Sequence, residues 1–94
     1  MRENAAEAAE LLKCMSNPNR LMLLCALMDE EKSVGVLNED VPLSQSALSQ
    51  HLSVLRDAGL VSTRRESQTI FYSLSDARVA TILKDLHQIF CSQK

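Results

Sequence analysis

Residues 44–61, SQSALSQHLSVLRDAGLV, set Gln45, Ser46, Ser49, Gln50, Ser53 and Arg56 along one side of a helical repeat, opposite Leu48, Leu52 and Leu55. Surface helices usually carry Lys and Glu on that side; here the groups are short, mostly uncharged donors and acceptors. Such groups suit the major groove of DNA, where Gln can bond adenine N6 and N7 and Ser can serve several base edges or a phosphate. Ser44 precedes the helix and belongs to the same candidate DNA-binding set. Read alone, the face is equally an ordinary solvated surface that happens to be poor in charge. The second chemically capable set is three thiols, Cys14, Cys25 and Cys91, whose chemistry would be oxidation or exchange through a thiolate. Cys25 lies inside the apolar run Leu21 to Met28, where a cysteine is commonly just a small hydrophobe.

Other chemistries lack parts. Asp85 and His87 could begin a helical metal pair, but only Cys91 follows them as a further ligand type, so no metal site is expected. Two histidines far apart, no recognisable nucleophile and no phosphate loop leave an enzyme without machinery, and no cofactor is expected. His51 falls at the edge of the apolar face and reads as a structural histidine rather than a DNA contact.

The elements that must position these residues are legible from caps and periodicity. A first helix at about 3–15 puts Ala5, Ala8, Leu12 and Met15 on one stripe. Asn17 caps a second that opens on Pro18 and continues through the unbroken apolar run 21–28, which predicts a central, buried helix. Ser33 caps a short third helix from Val34 to about Glu39, and Asp40, Val41 and Pro42 form a turn. The fourth runs at about 45–58 and stops at Gly59. LVSTRRE and TIFYSL then read as a β-hairpin turning at Glu66 to Gln68. Ser75 caps a last helix, about 76–91, whose apolar stripe of Val79, Ile82, Leu83, Leu86, Ile89 and Phe90 is wide. The expectation is a mainly α chain with a small hairpin, in the order ααααββα. The short helix, the turn and the Ser/Gln-faced helix make a helix-turn-helix, and the hairpin carrying Arg64 and Arg65 makes a wing. Arg56, Arg64 and Arg65 would neutralise phosphates, supplying the affinity that serines and glutamines cannot.

Totals agree with that division. The 94 residues suit one domain, 1–94, and a chain this small gains by self-association, so the terminal helices are the candidate dimer surface. Net charge is −2, but the eight acids and four bases of residues 1–43 contrast with the four acids and six bases of 44–94, so any nucleic-acid footprint belongs to the second half. No apolar run approaches bilayer length and the N-terminus lacks a secretory pattern, which predicts a cytoplasmic protein with reduced thiols and no membrane partner.

NPNRLMLLCAL, LSQSALSQHLSVLRDAGLV and RRESQTIFYSL resemble the ArsR/SmtB family of winged-helix transcription regulators over nearly the whole chain, most closely its HlyU/BigR-like thiol-sensing branch. The resemblance implies a homodimer paired through its first and last helices on an inverted repeat of double-stranded DNA. It also implies that Cys25 and Cys91 form a redox switch for oxidants or reactive sulfur species, bridged by a disulfide or a polysulfide. Two outputs are implied: repression of sulfur-detoxification genes, or activation of virulence genes in competition with a DNA-silencing protein. Cys14 has no counterpart in that pattern. The competing readings are a metal-sensing ArsR-type repressor and a winged helix used only for protein interaction, the latter being insensitive to salt in any duplex-binding assay.

Overall fold

Asn17 begins the helical scaffold. Its extended backbone stops the first helix from running on, and its side chain accepts from the amides of Asn19 (2.9 Å) and Arg20 (3.1 Å). The computed structural model describes residues 1–91, and the elements are α1 (Ala5–Met15), α2 (Pro18–Ala26), β1 (Lys32–Ser33), α3 (Val34–Asp40), α4 (Gln45–Asp57), β2 (Val61–Glu66), β3 (Thr69–Leu74) and α5 (Ala77–Cys91). A single 3-10 turn at Arg2–Asn4 precedes α1, where the sequence had predicted regular helix from residue 3.

The helices bury one shared core of Met15, Leu23, Leu24, Leu27, Leu37, Leu48, Leu52, Leu55, Val79 and Leu83, closed by Val41, Leu60 and Val61. The mainly helical winged helix-turn-helix architecture is as expected. Four details differ. α2 is only partly buried: Leu23 and Leu24 face inward while Met22 is 51% exposed, because one helix of a thin protein cannot bury an all-round apolar surface. It also ends at Ala26 instead of continuing to Met28. The sheet has a third strand: β1 pairs antiparallel with β3 (Lys32 opposite Tyr72, Ser33 opposite Phe71), giving the order β1-β3-β2. Two residues show no alternation, and their partner lies far along the chain. Finally, Ser75 does not cap α5. Its hydroxyl donates to Gly59 O (3.0 Å), and Asp76 instead accepts from the Arg78 amide (2.9 Å).

α4 starts and stops as expected. Ser44 Oγ accepts from the Ala47 amide (3.2 Å), and Gly59, at φ 78°, closes the helix with Leu60 N donating to Leu55 O and Gly59 N to Arg56 O. Those two bonds are a left-handed helix stop of the kind glycine permits without a Cβ penalty. β2 and β3 remain paired to Glu66 opposite Thr69, so the turn is only Ser67 and Gln68, with Ser67 at φ 59°.

Candidate nucleic-acid face and thiol pair

Leu48, Leu52 and Leu55 anchor α4 in the core at helical spacing, which turns Gln45, Ser46, Ser49, Gln50, Ser53 and Arg56 to the exposed side. The structure therefore gathers six of the candidate DNA-binding residues on one open face. Ser44 stands at the start of that face with a lone pair committed to its cap, leaving its proton to donate. The approach from α3 is rigid: Asn38 Nδ2 donates to the carbonyls of Val41 (3.4 Å) and Leu43 (3.1 Å), tying down the turn between the two helices. Sequence inspection missed this residue, although an Asn three residues before a Val-Pro turn is a recognisable signal.

His51 is half-buried, and Arg20 Nη1 donates to its Nδ1 at 3.4 Å. Guanidinium has no acceptor, so Nδ1 is the accepting nitrogen. Arg20 Nε also donates to Cys14 O at 2.6 Å, so one arginine of α2 brackets the end of α1 and the middle of α4. The partner of His51 is a donor, Arg20, which the sequence alone did not single out.

The wing separates the two arginines that were read together. Arg65 is exposed. Arg64 lies over the Phe71 ring, 4.7 Å from its centroid, and donates to Glu66 Oε1 (3.0 Å) and to both carboxylate oxygens of Glu31, one at 3.2 Å. Glu31 is held below the usual carboxylate range, mainly by its hydrogen bonds from Arg64, and the Arg64 guanidinium is pushed up by Glu31 and then Glu66.

Of the thiols, Cys25 is half-buried on α2 beside an open cleft of about 370 Å³ with Leu21, Met22, Lys32 and Val41. Burial pushes this thiol up, and the charge of Cys91 pushes it further the same way. The structure thus brings Cys91, exposed at the end of α5, within electrostatic reach of Cys25 on α2, 66 residues earlier in the chain. Cys14 is half-buried elsewhere, in a cleft of about 620 Å³ between α1 and the end of α4; burial raises its thiol, Arg20 opposes that and Glu10 adds to it. Asp85 and His87 are both exposed, and among the described residues no three His, Cys, Asp or Glu side chains converge. No helix of the described residues is long and apolar enough to cross a membrane.

Residues 17–63, from the cap of α2 into the wing, match the bacterial regulatory protein arsR family. The transcriptional activator HlyU of Vibrio cholerae is 53% identical over 91 residues, 97% of this chain and 84% of that protein. The chain belongs to the arsR family. Among solved structures, reduced HlyU from Vibrio cholerae N16961 superposes on this ArsR-family chain with a TM-score of 0.91, covering 97% of this chain and 96% of its own. The transcriptional repressor BigR of Xylella fastidiosa, 47% identical, superposes with a TM-score of 0.94 and covers 99% and 95%. The ArsR-family chain is accordingly a transcriptional regulator related to HlyU and BigR, as its motifs had implied.

Proposed function

We propose that this chain is a homodimeric, sequence-specific DNA-binding regulator that engages an inverted repeat through α4 and is controlled by its Cys25 and Cys91 thiols. The thiol half is supported by the place of Cys91 at the exposed end of α5, from which its charge reaches the half-buried Cys25 of α2. The DNA half is supported by the exposed Ser/Gln face on a helix rooted by three leucines. Gln45, Ser46, Ser49 and Gln50 read base edges, Ser44 and Ser53 donate to bases or phosphates, and Arg56 and the wing supply salt-sensitive affinity.

In the switch, exposed Cys91 reacts first. Its thiolate attacks the terminal oxygen of a peroxide to give a sulfenic acid and release hydroxide, or takes the outer sulfur of a persulfide donor to give a Cys91 persulfide and release the donor thiolate. Cys25 then attacks the modified Cys91 sulfur, expelling water or hydrogen sulfide and leaving the pair oxidised by two electrons. The bridge ties the core helix to α5 and alters the spacing of the two α4 helices, which must match half-sites about 34–36 Å apart.

Mobility shift on a duplex from the region upstream of its own coding sequence, with and without a persulfide donor and with peptide masses measured, tests this reading. Expected is loss of binding with a mass change at Cys25 and Cys91, absent in Cys25→Ser and Cys91→Ser. Release without any mass change at either thiol would overturn it.

A further inference from the structure

We infer that Arg64 is not a phosphate ligand but a strap across the sheet, and that Arg65 alone supplies the wing's phosphate-neutralising charge; this rests on the DNA-binding reading above. In the order β1-β3-β2, Arg64 stands opposite Phe71 of the central strand, and Ser33 of β1 stands opposite Phe71 from the other side. Glu31 lies two residues before Ser33, just ahead of β1, and its carboxylate meets the Arg64 guanidinium. The arginine leaves the outer strand, passes over the Phe71 ring and grips Glu31 beyond the far strand, a span of about 10 Å for two strand spacings.

Three donor groups are committed: Nε and Nη2 to the two oxygens of Glu31, and Nη1 to Glu66. A planar fork bonded bidentately at one end and stacked on a ring is the geometry in which an exposed ion pair holds a fixed position. Two carboxylates around one guanidinium also leave the cluster net negative, so an approaching phosphate meets repulsion there, with Asp29 and Glu30 next in the chain. Among the described residues no salt bridge or hydrogen bond of the Arg65 side chain stands beside these, and it projects from the opposite side of β2. The strap therefore explains how a two-residue strand, too short to be stable alone, stays paired at the wing's base.

Two measurements test this. The first is the salt dependence of binding to a mixed-sequence duplex of 30 base pairs, followed by fluorescence anisotropy. Arg65→Ala should flatten the slope of log affinity against log salt by about one per protomer, whereas Arg64→Ala should leave it unchanged. Replacing both Glu31 and Glu66 with Gln should free the guanidinium, steepen the slope by about one per protomer and tighten binding. The second, without DNA, is amide exchange at Lys32, Ser33, Phe71 and Tyr72, expected to quicken about tenfold in Arg64→Ala and in Arg64→Lys, which keeps the charge but loses the fork, and to be unaffected in Arg65→Ala. Equal loss of slope in Arg64→Ala and Arg65→Ala, or unchanged exchange in Arg64→Ala, would overturn the inference. Wild-type protein with no salt-dependent duplex binding would overturn the DNA reading and the role of Arg65 with it, while exchange would still decide the strap.

Discussion

Arg20 and Cys25 sit five residues apart on α2 and do opposite kinds of work. Arg20 spends its guanidinium on structure, donating to Cys14 O and to His51 Nδ1, so Arg20→Ala should lower stability in urea by about 2 kcal/mol, the scale of a charge-assisted bond lost with its partners left behind. Arg20→Lys should not rescue it, since an ammonium cannot fork to both acceptors. Cys25 is instead a suppressed thiol. With its folded value raised above the ordinary 9.0, first by burial and then by Cys91, less thiolate is present at pH 8 than on an unfolded chain. Alkylation of Cys25 followed by mass spectrometry should accordingly be slower in the folded protein at pH 8, with the gap closing as pH rises through the raised value. Cys91→Ser removes the like charge and should speed it near pH 9. The same shift stabilises the fold below pH 9 and is lost above it. Cys25 was visible in the sequence as a thiol within an apolar run, but its relation to Cys91 was implied only by the family resemblance, because spacing alone says nothing of how residues 66 positions apart are placed.

At the scale of elements, the two glycines separate backbone cost from packing. Gly59 needs φ 78° yet has open space where a Cβ would sit, so Gly59→Ala should cost about 1 kcal/mol from backbone strain alone. Gly35 is inside α3, where a Cβ would meet only Ser33 Oγ at 4.0 Å, and Gly35→Ala should add about 0.5–1 kcal/mol. Opposite shifts of the chemical denaturation midpoint check both. Ser67→Gly, relieving a left-handed serine in the hairpin turn, should raise that midpoint as well. These elements also mark how far the sequence could be read. α4 was legible from Ser44 to Gly59 because cap, leucine spacing and stop are all local and agree. β1 was hidden because its pairing to Tyr72 and Phe71 is tertiary, and the α5 cap was misplaced by one residue because Ser75 and Asp76 are both good caps and only the fold shows that Ser75 is engaged with Gly59. The Arg64 strap depends on Glu31, 33 positions away, so the two wing arginines looked alike.

At the scale of the molecule, the protein measures 44 × 36 × 22 Å, and Leu12 on α1 with Ile89 and Phe90 on α5 stay 53%, 68% and 70% exposed. Leu12→Glu combined with Ile89→Glu should shift a dimer to monomer in sedimentation at micromolar protein and reduce DNA affinity with it, while urea stability of the monomer changes little. Acid should act at the outset of α5: Asp76 is depressed below 3.8, chiefly by hydrogen bonds from Arg78, so its contribution is present above that value and lost as pH falls through the lower one. Asp76→Asn should flatten that acid limb of the stability curve. Next to it, Ser75 bonds back through its amide to Leu60 O and through its hydroxyl to Gly59 O. The last helix is thus riveted at its root to the tail of α4, with Cys91 at the tip of an arm about 21 Å long. In the proposed switch, a bridge formed at that tip would act on a long lever whose fulcrum lies beside Gly59 and Leu60, at the foot of α4.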